Sequence, residues 1–416
     1  MTIDREQLQR RTVRTLVASQ VCGGVGVASG IAVMALLALR LSGSETLSGL
    51  GTTAQVLGGA LITVPVAALS ARRGRRAGLS LGYALAVLGA IVIVLAAAAR
   101  SFPLMLLGAL LFGGATTANS QARYAGADLA SAQHRGRDLS LVVWAATIGS
   151  VLGPNLVGPG ESVGRALHLP RLTGSFVLAT LGFVLALVVL TLLLRPDPLL
   201  AARELDRDPA GTTAPAADGS LRTGIRAVLS DRRALCGMLT TALGHAVMIS
   251  VMVMTPLHMD HGGASLRLIG LVISGHILGM YAFSPVTGWL VDRFGGPVVA
   301  LGAAAILLSG GLLAATTQEG MSARLAVALF LVGVGWSGTL VSGSTMLTNA
   351  IPLAKRPAAQ GFADLAMGLA GAAAGAGAGA ILQHSGFAML GYLGAVIAIC
   401  IAVAVLVLGR TPRPST

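Results

Sequence analysis

The chain has 416 residues, 54% of them hydrophobic and only 11% charged, with a formal net charge of +13. Apolar runs such as 83–99, 176–194 and 391–408 exceed what a water-soluble core can hide, and segments of about 20 apolar residues match the roughly 30 Å hydrocarbon layer of a bilayer. They are too long and too uniformly apolar for barrel strands, so the composition excludes a soluble catalytic domain and predicts an all-α membrane protein.

In chain order, residues 1–14 are polar and basic without a small-residue cleavage signature, so no removed signal peptide is expected. Twelve transmembrane segments follow, at 15–39, 48–70, 78–99, 103–122, 139–159, 173–194, 234–256, 266–290, 297–316, 323–346, 359–382 and 388–408. With the N-terminus placed inside, 23 of the 29 Lys and Arg fall on inner connections; the outer six are Arg40, Arg100, Arg165, Arg171, Arg267 and Arg324. This asymmetry predicts a multi-pass protein of the plasma (inner) membrane with both termini cytoplasmic. The basic excess is thus topology with weak attraction to anionic membrane lipid, and no nucleic-acid partner is expected.

Gln20, Gln55, Asn119, Gln121 and Asn155 lie at membrane depth in the first half. An unpartnered buried amide is costly, so such groups pair across helices or line a wet cavity. Cys22, Cys236 and Cys400 are isolated and form no disulfide or CxxC framework. Around the inner end of the fourth segment stand Arg123, Asp128, His134, Arg135, Arg137 and Asp138; they read as a solvated charged loop or as a gate in which Asp128 pairs with a loop arginine. The fifth segment carries Gly149-x-x-x-Gly153-Pro154-Asn155. Glycine with proline inside a membrane helix bends it and permits close packing.

Residues 195–233, rich in Pro, Gly and charge, read as a flexible cytoplasmic linker dividing the segments six and six. The domain boundaries expected are therefore 1–194, a linker at 195–233, and 234–416. An internal repeat supports the division: Ala67-Ala-Leu69-Ser-Ala71-Arg72-Arg-Gly74-Arg75-Arg76 corresponds to Gly288-Trp-Leu290-Val-Asp292-Arg293-Phe-Gly295. Twelve helices in two halves with this Gly-x-Leu-x-Asp-Arg-x-Gly pattern resemble the major facilitator superfamily over nearly the whole chain. The first copy departs from the pattern, with Ala67 for Gly and Ala71 for Asp. The resemblance implies that Asp292, with Arg293, caps a helix and locks a cytoplasmic gate. The Gly-Pro element of the fifth segment is similar to that of proton-coupled drug exporters, but Asn155 replaces the doubled glycine.

The densest chemistry lies in the seventh and eighth segments: between Met238 and Met280 stand six of 13 Met and four of 7 His. Residues four apart share a helix face, so Met248 with Met252, and His276 with Met280, form two ladders. Pro256 is expected to end the seventh segment, leaving His258 and His261 in an outer loop as a mouth for a metal. Thioether and imidazole are soft donors that suit Cu(I), although packing accounts for the same residues. Met-x-x-x-Met followed by His-x-x-x-Met resembles the copper-importing branch of the superfamily, which has a riboflavin-moving sister branch. The resemblance implies copper moving inward through Met248, Met252, His276 and Met280; Cys236, near the inner end of the seventh segment, reads by its position as a small buried hydrophobe or as an inner acceptor. Asp364, placed near the start of the eleventh segment, reads as a dipole-stabilised acid or a carrier of a coupling proton.

With no Gly-x-x-x-x-Gly-Lys-Ser loop and no Ser/His/Asp set, neither ATP drive nor enzymatic catalysis is expected. The prediction is a monomeric secondary transporter without a cofactor, taking a small solute or metal ion, with copper leading. A proton-coupled exporter of drugs or other amphipathic molecules, and a riboflavin-type importer, are the alternatives.

Overall fold

A computed structural model describes residues 4–206, 219–320 and 322–409; residues 207–218 of the expected linker and both chain ends lie outside the described residues, as does the side chain of Pro154. All regular structure among the described residues is helical. The helices used below are α1 (Arg5–Ser42), α2 (Leu50–Arg73), α3 (Arg75–Ala98), α4 (Phe102–Ala127), α5 (Arg135–Trp144), α6 (Ala146–Asn155), α7 (Val157–Ala166), α8 (Gly174–Leu193), α9 (Pro198–Leu205), α10 (Arg232–His261), α11 (Leu266–Tyr281), α12 (Ser284–Phe294), α13 (Gly296–Ala315), α14 (Ala323–Ala350) and α15 (Arg356–Leu408).

Among the described residues, ten helical stretches are long and apolar enough to cross a bilayer, or eleven when the bent pair Arg135–Gly153 and Val157–Ala166 is taken as one span. The 53-residue α15 is two helices joined at Gly386, whose φ of 78° lies in the left-handed region that glycine adopts without a Cβ clash. With its two parts taken separately, the described helices account for all twelve expected segments.

Three boundaries differ from expectation. Helix α1 starts at Arg5, where Asp4 accepts hydrogen bonds from the Glu6 and Gln7 amides, so the basic start of the chain is helical. Helix α10 continues through Pro256 to His261, because a membrane helix bends around the one backbone bond that proline removes. The described flanks of the expected flexible linker are helical too. Asp197 caps α9 by accepting from the amides of Leu199 at 3.0 Å and Leu200 at 3.2 Å, and Ala201 and Ala202 of that helix pack in a small core with Leu8, Leu129 and Leu353.

The chain folds into two compact units. The first takes in the described residues of Met1–Ala130, Ala145–Gly224 and Leu353–Gly368; the second takes in those of Ser131–Trp144, Ile225–Pro352 and Leu369–Thr416. Helices in lipid gain little from the hydrophobic effect, so close backbone approach at small residues holds them together. In the first unit a Cβ on Gly108 would lie 2.9 Å from the Gly89 carbonyl oxygen, and in the second a Cβ on Gly391 would lie 2.6 Å from the Ala315 nitrogen.

Gly108→Ala should therefore lower the thermal midpoint of the detergent-solubilised protein by an amount equivalent to about 1–3 kcal/mol of overpacking. Gly302→Ala, at a helical position with open space around it, should leave stability unchanged or raise it by up to about 1 kcal/mol. Equal shifts for the two would refute the packing role assigned to Gly108.

Candidate functional site

The Met and His ladders all lie in the second unit. On α11, His276 is completely buried; its Nδ1 stands 2.7 Å from the carbonyl oxygen of Leu329 on α14. A carbonyl only accepts, so Nδ1 carries the proton and Nε2 keeps its lone pair. That Nε2 is buried without a hydrogen-bond partner. Met280, one turn on, is buried as well. The two helices meet through small residues: a Cβ on Gly279 would lie 2.7 Å from the Phe330 carbonyl oxygen. On α10, Met248 is buried and Met252 half-buried.

The expected metal mouth is not an open loop. His258 is buried at the end of α10, stacked 4.0 Å from the Phe387 ring with Nε2 3.3 Å from the Thr317 hydroxyl. His261 is exposed and faces Glu319 at 3.7 Å. Met254 and Met259 pack in an apolar cluster with Val251, Leu325 and Phe387. Cys236 is buried against the Ala404 carbonyl oxygen, 3.9 Å away. Among the described residues no group of three or more His, Cys, Asp or Glu gathers at metal-binding range.

Nearby in α10 and α14, Trp336 donates its indole N–H to His245 Nδ1 at 3.0 Å and meets Tyr281 edge-on, with ring centroids 5.5 Å apart. The indole only donates, which places the neutral imidazole proton of His245 on Nε2.

Asp292, near the C-terminal end of α12, accepts from the backbone amides of Gly136 at 2.7 Å and Arg137 at 2.8 Å. It thus caps the first turn of α5, where unsatisfied N–H groups and the dipole favour a carboxylate. Arg293 lies over the Trp289 and Phe294 rings at 5.3 and 5.5 Å, a surface stacking contact. In the degraded first copy, Asp197 supplies a carboxylate instead, accepting from the Arg76 amide at 2.7 Å.

Asp128 pairs with Arg75, not with Arg123 or another loop arginine. The contact is two-pronged, with Nε to Oδ2 at 2.7 Å and Nη2 to Oδ1 at 3.1 Å, and Arg75 also donates to Gln360 Oε1 at 2.5 Å. Arg123 instead pairs with Asp364, which also accepts from Gln121 Nε2 at 2.6 Å and the Tyr124 hydroxyl at 3.3 Å. Five residues apart on a helix, Arg123 and Asp128 point to different faces. Asp364 stands two turns inside α15, past the first turn where a helix dipole acts. Sequence reading missed these partners; the signal available was ionisable residues at the edge of apolar segments, which mark a function or a buried partner.

Gly149 and Gly153 of the fifth segment are packing residues. A Cβ on Gly153 would lie 2.9 Å from Ala28 Cα, and a Cβ on Gly149 2.7 Å from the Val25 nitrogen on α1. Asn155 is exposed and donates to the Val151 carbonyl oxygen at 2.8 Å, within its own helix. Of the buried amides, Gln20 donates to the Asn119 carbonyl oxygen at 3.2 Å, and Asn119 Oδ1 accepts from the Tyr83 hydroxyl at 2.6 Å. These polar residues therefore join helices.

Comparison with known proteins agrees with this architecture. The Major Facilitator Superfamily profile matches residues 16–265 and 239–416. The chain is 36% identical over 395 residues to the uncharacterized MFS-type transporter YddS of Bacillus subtilis, covering 95% of this chain and 90% of that protein. It is 30% identical over 392 residues to the riboflavin transporter RfnT of Brucella anthropi, covering 92% of each. In fold it is similar to the proton:xylose symporter XylE, with a TM-score of 0.74 at 17% identity over 98% of this chain and 97% of that one. It is also similar to the fucose:proton symporter FucP of E. coli, with a TM-score of 0.71 at 16% identity over 96% and 98% of the two chains. On helix content, profile and relatives alike, this chain is a multi-pass membrane transporter that belongs to the Major Facilitator Superfamily.

Proposed function

We propose that this transporter is a secondary carrier of the plasma membrane, with both termini cytoplasmic, that moves copper inward as Cu(I) by alternating access. The observation that carries the cargo is His276. Its Nδ1–H is held by the Leu329 carbonyl and its Nε2 lone pair is buried without a partner. A metal-ligating imidazole characteristically donates its other N–H to a carbonyl or carboxylate, which fixes the ring and raises its basicity. The Met280 thioether one turn along, and those of Met248 and Met252 on α10, are soft neutral donors that suit a monovalent copper ion passed by ligand exchange. His258 and His261 belong to the outer approach in this reading, with His261 the exposed member. Asp292 and the ion pairs of Asp128 and Arg123 act as gates, and the carrier works as a monomer within the two sequence halves 1–194 and 234–416.

A second reading, uptake of a flavin-like planar solute, is supported by the similarity to the riboflavin transporter and by the Tyr281–Trp336–His245 cluster. Aromatic faces and a fixed N–H donor are what a planar heterocycle binds. Gly149 and Gly153 are engaged in helix packing and lend the exporter alternative no support.

Purified protein in proteoliposomes should take up radiolabelled Cu(I), and riboflavin in excess should not compete. His276→Ala or Met252→Ala should abolish that uptake at unchanged membrane abundance, while Trp336→Ala should retain it. Copper uptake that survives both ligand substitutions would sink the site assignment. Riboflavin uptake lost in Trp336→Ala, without copper uptake in the parent protein, would replace copper by the second reading.

A further inference from the structure

Two arginines of the first unit share a groove without a counter-charge. The last two turns of α1 carry Leu36, Leu39 and Arg40, and the turn leading into α8 carries Arg171 and Leu172; together these side chains line an open groove of about 420 Å³. Arg40 and Arg171 are both exposed. Among the described residues, neither guanidinium is hydrogen-bonded or ion-paired.

The local settings of the two cations differ. Arg40 stands in the last turn of α1, where unsatisfied carbonyls and the helix dipole favour positive charge. Arg171 has no such support, because it precedes α8 and the N-terminus of a helix disfavours a cation. The backbone nevertheless holds it there. Leu172 has a φ of 73°, a left-handed conformation that a bulky residue rarely adopts, and its N–H donates to Oε1 of Glu161 on α7 at 2.7 Å. That bond fixes the turn and commits an oxygen of Glu161 to the backbone instead of to either arginine. Backbone strain held in place by its surroundings is characteristic of ligand clamps.

The apolar wall of the groove speaks to the other end of the ligand. Leu36 is 55% exposed and lies one turn before Arg40 on the same face of α1, a helix long and apolar enough to cross a bilayer. A soluble oxyanion would use the arginines alone. A phospholipid would use both parts, with its phosphate at the guanidinium groups, whose planar forks suit phosphate oxygens, and an acyl chain beside the leucines. Net charge selects among lipids. A zwitterionic headgroup brings its own cation to its phosphate, whereas two unpaired arginines match a headgroup that is negative overall.

We propose that this groove is a binding site for an anionic phospholipid, whose phosphate lies between Arg40 and Arg171 and whose acyl chain follows Leu36 and Leu39. The bound lipid ties the end of α1 to the turn before α8. The proposal rests on the chain lying in a membrane and not on the identity of its cargo.

The test is native mass spectrometry of the full chain, delipidated in detergent and titrated with phosphatidylglycerol or phosphatidylcholine. Phosphatidylglycerol should fill one site ahead of all others, phosphatidylcholine should show no such site, and inorganic phosphate in excess should not displace the bound lipid. Arg40→Gln and Arg171→Gln should each weaken the tight site about fivefold, the effect of roughly one cation at an anionic lipid surface. Arg267→Gln, which removes an exposed arginine outside the groove, should leave it unchanged. Phosphatidylcholine bound as tightly as phosphatidylglycerol, or a tight site that survives both groove substitutions, overturns the proposal. Displacement by inorganic phosphate overturns it too, leaving a site for free oxyanions. Copper or riboflavin uptake, measured separately, fails or succeeds without bearing on it.

Discussion

A polar group inside a hydrocarbon slab has no water to pair with, so burying one is costly unless it finds a partner within the fold. The backbone meets that demand through helices that satisfy their own N–H and C=O groups. The side chains meet it between helices: Tyr83 on Asn119, Gln20 on the Asn119 carbonyl, Arg75 on Asp128, Arg123 on Asp364. The last two are the most demanding, because an ion pair removed from water breaks even only with good geometry and further hydrogen bonds. Arg75 has a two-pronged contact plus Gln360, and Asp364 has two further donors beside Arg123. Removing one member of either pair would leave an uncompensated charge.

Close backbone approach provides the rest of the cohesion. Glycines occupy crossings with no room for a Cβ, as at Gly149 and Gly153 against α1 and Gly279 against α14. These tight contacts bring polar side chains within reach of one another. His276 reaches the Leu329 carbonyl across the α11–α14 crossing that Gly279 and Gly333 permit, and the proposed ligand atom is oriented by that bond.

The fold was legible because hydropathy is local: apolar runs of bilayer length need no knowledge of what they touch. The repeat around Asp292 was legible for the same reason. What escaped was non-local or set by helix phase. The Arg123–Asp364 contact spans 241 positions, so neither residue announces the other. Asp128 was read as part of a solvated charged loop or as the partner of a loop arginine, but helix phase turns Arg123 away from it, and Arg75 answers instead. The expected linker contained a short amphipathic pattern, 198–205, that its Pro and charge content obscured; Leu199, Ala201 and Ala202 are buried there. At the candidate metal residues, sequence spacing put His276 and Met280 on one helix face, and the fold buries both. It could not foresee that His258 would stack on Phe387.

The dependence of the first unit on paired buried charge is tested most directly by a double-mutant cycle at Arg123 and Asp364, read as unfolding free energy in detergent. Arg123→Gln and Asp364→Asn should each destabilise by about 3–5 kcal/mol, the usual consequence of stranding one member of a buried pair. The double variant should fall short of their sum by at least about 1 kcal/mol, since the second change removes the charge that the first left stranded. Additive losses, or single variants as stable as the parent, would contradict the account.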